Sequence, residues 1–541
     1  MPAVADPSLK QWLLETVQPD EFVEKDLKIS GIHFEALVGA DKIAGIAREF
    51  LKRGYYLESL TAVDFLECFE VVYHFDRQDS NARCCVKILT AKDSGHAPTL
   101  SGIYRSALWF EREAHEMFGI VFDGHPNLKN LLLPESSLIH PLLKSFKGEA
   151  KGSDVVQSLQ LIDEDKRDFE LAYPKSISQQ GKDYYLNLGP QHPSTHGVLR
   201  ILLHLNGERV LDGEPILGYS HRHHEKMMEI QNYLACWPNF GRLDYVGAMS
   251  YNFGYARLIE RAMGVTPPPR VEYIRVIATE LNRISSHLLW LGTFLMDLGA
   301  MTPFFYCFDE REKILDILEM ATGERLTYDY FRFGGLDHDF TPDMAPAIKR
   351  FIPEFKMHLR EYHQLITKNV IFMKRVHGMG VLSRENALAY GVTGPCLRAS
   401  GVALDERRRD PYSIYPQLDF DIPVRADGDV FARYQVRMQE MEESLKIITQ
   451  ALEKMPEGPI TLGKLPKNVP KGEYYSAVES PRGSFGIYLV SDGSLNPYRI
   501  KLRTPSFSNL NSLIDMIPGC FVSDVVAVLG SIDIVLPEID R

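Results

Sequence analysis

The patterning of this chain changes across a polar stretch, residues 146–180, rich in Ser, Lys, Asp and Gln. Such a stretch is too polar to bury itself and has the composition of a joint between domains. At 541 residues the chain is also too long for one ordinary core. Two folded parts are therefore expected, residues 1–145 and 181–541. The first reads as a small α/β domain. A helix is predicted over Phe34 to Lys52, closed by Arg53-Gly54, then strands over Tyr56 to Phe65, Glu67 to Phe75 and Ala82 to Leu89, and a helix over Leu100 to Phe118.

The second part is mainly helical. Apolar residues recur every three to four positions over Glu225 to Leu234, Asn252 to Met263, Val271 to Met296, Phe308 to Thr322, Met344 to Arg375 and Val430 to Met455. Pro267-Pro-Pro269 gives the third of these a stiff entry. Short strands are expected at Gly486 to Val490, Tyr498 to Leu502 and Val525 to Leu529, so the fold class is α+β. Leu288 to Phe308 is apolar and about long enough to span a bilayer, but Asp297 sits in its middle. A charge there is costly, so a core helix ending near Gly299 is the better reading, and Asp297 becomes a buried carboxylate that needs a partner.

Charge and cysteine usage exclude several classes. A formal net charge of −12 does not suit a nucleic-acid surface. The N-terminus has neither a basic start nor an apolar run, so no secretory signal is expected. Seven scattered cysteines, none spaced Cys-x-x-Cys, fit reduced thiols and leave no set for an iron–sulfur cluster or a structural zinc.

Leu188 to Arg200 packs His192 and His196 among two prolines and two glycines, between two strand-like runs. Proline fixes φ and glycine permits unusual φ, which makes a shaped loop. Such a loop either places an imidazole as proton donor or is a tight turn whose histidines bond backbone. Pro193 between the two histidines argues against a helical metal pair. Ser220-His-Arg-His-His-Glu-Lys226 gathers three histidines, but adjacent side chains at a helix start diverge, so no metal is expected there.

Several of these motifs together carry a resemblance. Gly189-Pro-Gln-His-Pro-Ser-Thr-His-Gly-Val-Leu-Arg200, Gly241-Arg-Leu-Asp-Tyr-Val246, Asp297-Leu-Gly-Ala-Met-Thr-Pro-Phe-Phe305, Phe308-Asp-Glu-Arg-Glu-Lys313, Gly483-Ser-Phe-Gly-Ile-Tyr-Leu-Val-Ser-Asp-Gly-Ser494 and Asp533-Ile-Val-Leu-Pro-Glu-Ile-Asp-Arg541 resemble, in order, the 49-kDa-type (D-type) subunit of bacterial NADH:quinone oxidoreductase, respiratory complex I. Glu111-Arg-Glu-Ala-His-Glu-Met-Phe-Gly119 with Asn127-Leu-Lys-Asn-Leu-Leu-Leu-Pro134 is similar to the 30-kDa-type (C-type) subunit of the same enzyme, though its second half departs from the usual acidic-Leu-Arg-Arg wording. The chain looks like a fused C/D subunit, with the polar stretch at the joint.

The resemblance implies a hydrogenase-large-subunit-like second domain. The regions that hold nickel in those hydrogenases, here His192 to His196 and Gly530 to Asp533, have no cysteine, which separates the quinone reading from the hydrogenase one. It implies that His196 and Tyr245 hold the quinone head-group, and that Asp297 fixes the His196 tautomer. It places His192 beside that site, and Arg222 near the terminal iron–sulfur cluster of a partner B subunit. Without the resemblance, Tyr245 would be a core tyrosine and Asp297 a helix-end residue bonded to backbone. The implied chain binds no cofactor of its own, takes quinone as substrate, and meets B, I, G and H-type subunits. It sits peripherally on the cytoplasmic side of the inner membrane and couples quinone reduction to proton translocation. The alternatives are a subunit of an F420H2- or ferredoxin-dependent quinone or phenazine oxidoreductase or of a membrane hydrogenase-like complex, or a scaffold with a vestigial His–Tyr pair. Where the family usually has a histidine near the cluster, this chain has Thr327, in Gly323-Glu-Arg-Leu-Thr-Tyr328. Losing that ionisable group would weaken the coupling of cluster potential to pH and points toward a lower-potential acceptor such as menaquinone.

Overall fold

A computed structural model describes residues 7–93, 95–146, 183–190 and 197–541. Nearly all of the polar stretch, and both His192 and His196, lie outside the described residues.

The N-terminal part is built on a five-stranded sheet. Its order is Glu21–Glu24, Phe34–Leu37, Cys84–Ala91, Cys68–Arg77, Tyr55–Asp64. Only the Phe34–Leu37 and Cys84–Ala91 pair is parallel. Tyr55–Asp64 is buried along its whole length, the mark of a strand covered on both faces. Helices Ile43–Lys52 and Ala107–Phe118 cover one face with Ile46, Phe50, Phe110 and Met117. The other face packs Val63, Val72 and Cys85 against Tyr475, Ala477 and Tyr488 from the far end of the chain.

The joint between the two parts is also ionic. Arg409 reaches Asp76 at 2.8 Å and the Tyr56 hydroxyl at 3.0 Å. Arg83 pairs with Glu58 at 2.6 Å and lies over the Tyr475 ring. Lys501 and Arg541 both pair with Glu113 of the Ala107–Phe118 helix. Removing one member of such a buried pair leaves an uncompensated charge, typically at about 3–5 kcal/mol, so the two parts are closely joined.

The core of the second part is the Pro269–Asp297 helix. Met301–Thr322, Val430–Lys454 and Ala248–Met263 pack on it. Pro269 stands in its first turn, where a missing N–H costs nothing. The helix stops after Asp297: Leu298 and Gly299 turn back on Phe294 and Met296, with Gly299 left-handed at φ 90°. Among the described residues, two three-stranded antiparallel sheets and the short pair Phe331–Arg332 with Gly335–Leu336 complete this part. One sheet contains Asp183–Leu188, Arg200–Asn206 and Arg209–Ile216, the other Gly472–Ser480, Gly483–Ser491 and Arg499–Arg503. Among the described residues no helix is long and apolar enough to cross a membrane.

Several sequence expectations need correction. Met344 to Arg375 is not one helix: Met344–Tyr362 gives way before Asn369, whose side chain caps a second helix, Val370–Val376, through the amides of Ile371 and Phe372. Phe34 to Lys52 is not one helix: Phe34–Leu37 is a strand and the helix begins at Ile43, beyond the break at Gly39. The Ala107–Phe118 helix starts later than Leu100, because the Leu100 amide is held at 2.6 Å by Glu111 and the residues between are turns. The Met301–Thr322 helix starts earlier than Phe308, since Pro303 is tolerated in a first turn. Val525 to Leu529 is part of a helix, Val522–Ile532, not a strand. Val525, Val528, Leu529 and Ile532 share its buried side, and the Asp524 carboxylate accepts from the Phe521 amide at its start.

Candidate functional site

Tyr245 stands on the short connection between helices Trp237–Leu243 and Ala248–Met263. Its neighbours Asp244 and Val246 are buried, whereas Tyr245 is 37% exposed. It is not an ordinary core tyrosine. The connection is clamped from below. Asp244 Oδ1 accepts from the amides of Val246 at 3.2 Å and Gly247 at 2.9 Å. Asn282 of the central helix donates to the Val246 carbonyl at 2.9 Å and accepts from the Met249 amide at 3.2 Å. A Cβ on Gly247 would fall 2.4 Å from Asp244 Oδ2, so only glycine fits there. Partial burial raises the Tyr245 pKa above its ordinary value against the pull of Arg482. The phenol is therefore a neutral hydrogen-bond donor at physiological pH.

Arg482 is the hub beneath this turn. It is fully buried and donates to Asp244 Oδ2 at 2.9 Å, Ser286 Oγ at 3.1 Å and Asp533 Oδ1 at 3.3 Å. Asp533 ends the Val522–Ile532 helix in the left-handed region, at φ 60°. Arg437 caps the same helix end through the carbonyls of Ser531 and Ile532, and Trp290 donates to the Gly530 carbonyl at 2.7 Å. Glu538 lies close by, bonded to the Tyr251 hydroxyl and the Ser506 amide. Burial, then the charge of Asp244, pushes its pKa up to about 7. Glu538 therefore sits close to a protonation change near neutral pH. Sequence reasoning assigned no role to Arg482, Asp533 or Ser286. The signal for Arg482 was its place directly before the Gly483 to Ser494 motif.

Gly189 and Gly197 adopt the unusual φ the loop composition predicted, 88° and 126°. A Cβ on Gly197 would stand 3.3 Å from Leu536, three residues beyond Asp533. The chain at the described edge of the loop therefore abuts the segment that carries Asp533.

Asp297 is the last residue of the central helix and is half-buried. A carboxylate at a helix C-terminus faces the negative end of the macrodipole, a position that opposes it by about 0.3–1 kcal/mol. Asp297 lies eleven residues beyond Ser286, about 16 Å further along the axis at 1.5 Å per residue. Asp297 thus stands at the end of the central helix, and Tyr245 on a turn that Asn282 clamps to the same helix.

Arg222 is exposed on a turn that the Asp540 carboxylate holds through the amides of Gly218 at 3.0 Å and Ser220 at 2.7 Å. His221 Nδ1 is 2.6 Å from the Asp540 carbonyl and must carry the proton, so its Nε2 accepts from His223 Nδ1 at 3.1 Å. Burial pushes both imidazoles down to about 4, which keeps them neutral. His224 turns away into the interior toward Asn239. Thr327, at φ 53°, is a β-branched residue in the left-handed region. Its carbonyl packs on Gly241, at the end of the helix leading to Tyr245.

Comparison with known proteins agrees with this architecture. Residues 37–152 match the family of the respiratory-chain NADH dehydrogenase 30 Kd subunit. Residues 297–468 and 463–541 match that of the 49 Kd subunit. The NADH-quinone oxidoreductase C/D subunit of Phocaeicola vulgatus is 40% identical over 499 residues, covering 90% of this chain and 95% of that protein. The chain belongs to the C/D family of NADH-quinone oxidoreductase subunits. The NADH-quinone oxidoreductase D subunit of Syntrophobacter fumaroxidans is 51% identical over 360 residues, 66% of this chain and 96% of that protein. The D subunit of Desulfotalea psychrophila is 52% identical over 367 residues, 68% of this chain and 99% of that protein. As a member of this family the chain is one component of an oxidoreductase complex. The 49 Kd match begins at Asp297, so Arg222 and Tyr245 lie ahead of it.

Proposed function

We propose that this chain forms one wall of a quinone-reduction cavity, beside the terminal iron–sulfur cluster of a B-type partner. Quinone reduction consumes two electrons and two protons, delivered to two carbonyl oxygens. The electrons come from the partner's cluster, and this chain supplies the proton donors. Tyr245 donates a hydrogen bond to one quinone oxygen and stabilises the charge that develops there. His196 donates at the other through its imidazole, with His192 alongside. Asp297 holds the His196 tautomer and steadies its imidazolium. Arg222 raises the cluster's potential through its positive charge. Thr327, in place of the usual histidine, weakens the pH dependence of that potential and favours a menaquinone-type acceptor.

The observation that carries the proposal is the exposed phenol of Tyr245 on a turn clamped by Asp244, Asn282 and Arg482. A pre-positioned donor with an open face is what a substrate carbonyl requires. In the same proposal the chain docks on I, G and H-type subunits, rests peripherally on the cytoplasmic side of the inner membrane, and links quinone reduction to proton translocation. His196→Ala should abolish most quinone reductase activity while assembly and electron transfer to an artificial acceptor persist. Normal quinone turnover in that variant would remove His196 from the site.

A further inference from the structure

Away from this site, two packed helices bring two carboxylates and an imidazole together. Glu310 lies on the Met301–Thr322 helix and is 1% exposed. Glu354 and His358 are four residues apart on the Met344–Tyr362 helix that packs against it, and so share one face. One oxygen of each carboxylate and one ring nitrogen lie within 4.8 Å of one another. His358 Nδ1 is 3.0 Å from Glu361 Oε2, and its Nε2 is 3.3 Å from Glu310 Oε1. A neutral imidazole has a single N–H. One of these two contacts then sets lone pair against lone pair, unless a second proton or a cation stands between them. The second oxygen of Glu310, Oε2, is buried without a hydrogen bond.

Lys313 shows where a cation belongs. Its ammonium is 2.7 Å from Glu310 Oε1 and 2.7 Å from Glu354 Oε1. Its side chain is 34% exposed, with Asp309 at 3.6 Å to receive it if it swings outward.

We propose that Glu310, Glu354 and His358 form a binding site for a divalent transition-metal ion of the zinc class, with Lys313 as the ammonium that leaves when the ion enters. Two carboxylates balance the ion's charge, and the imidazole nitrogen favours zinc over magnesium or calcium. Glu361, bonded to Nδ1, orients the ring so that Nε2 is the ligand, as carboxylates commonly do behind metal-bound histidines. A water completes the coordination. The ion ties together two helices, one of which begins four residues after Asp297. This inference stands apart from the quinone reading and survives its failure.

The test uses the full-length chain, stripped with a chelator and titrated with Co2+ as an optical probe. One equivalent should bind with visible d–d bands that Zn2+ bleaches. His358→Ala, at a partly exposed position, should lose the bands while the fold, followed by circular dichroism, is kept. Glu361→Gln should weaken binding roughly ten- to hundredfold. Lys313→Met, which removes the competing ammonium, should tighten it. The absence of cobalt bands in the parent chain, or bands that persist unchanged in His358→Ala, would overturn the proposal.

Discussion

His74 gives a direct test of how the two parts are joined. It is fully buried in the Cys68–Arg77 strand, with its ring between Tyr475 and Tyr488 at centroid distances of 4.9 and 4.8 Å. Neither ring nitrogen has a hydrogen-bond partner. Burial pushes its pKa down from 6.5 to about 3, so the folded protein keeps it neutral. The unfolded chain takes up a proton here near pH 6.5. As pH falls below that value the unfolded state binds more protons than the folded one, and stability drops. At pH 5, some 1.5 units lower, the loss from this one group is about 2 kcal/mol, at 1.36 kcal/mol per unit. Buried carboxylates such as Glu111, raised to about 8, and Glu479, raised to about 7, act in the opposite sense. A comparison of parent and variant removes them to first order. His74→Phe keeps an aromatic ring between the two tyrosines and does not titrate. In denaturant unfolding followed by tryptophan fluorescence, the variant should gain about 2 kcal/mol on the parent between pH 7 and pH 5. An unchanged gap between the two proteins would refute the claim that His74 is held neutral in this interface.

Two further substitutions probe the site. Arg482→Met leaves Asp244 and Asp533 without their shared cation. It should cost about 3–5 kcal/mol in a denaturant titration and raise the quinone KM as the Tyr245 turn loosens; unchanged values for both would show that Arg482 does not hold the turn. Asp297→Asn keeps the side-chain shape and removes the charge, so quinone turnover should fall while melting shifts by no more than about 1 kcal/mol. A parallel loss of stability and turnover would make Asp297 a structural residue.

Much of this fold was legible because local signals agreed with burial. The central helix is marked by Pro267-Pro-Pro269 at one end and Gly299 at the other, with apolar spacing between, and the structure follows it from Pro269 to Asp297. Three of the five strands of the N-terminal sheet also fall close to their predicted bounds. The failures share a cause in tertiary context. Val525 to Leu529 is β-branched and apolar enough for a strand, yet a buried face running from Val525 to Ile532 makes it a helix. The cover of the N-terminal sheet by Tyr475 and Tyr488 joins residues some 400 positions apart, which no local pattern encodes. The same holds for the candidate site. Tyr245 lay within a recognisable motif, but Arg482 acquires its role only by meeting Asp244 and Asp533 across 238 and 51 residues.

The most direct measurement is quinone reductase activity of membranes carrying Tyr245→Phe, with transfer to an artificial acceptor as the control. A donor poised on a clamped turn predicts a fall in quinone turnover of roughly a hundredfold or more, with the artificial-acceptor activity retained. Quinone turnover equal to that of the parent, at the same level of assembled complex, would contradict the assignment of Tyr245 to the quinone site.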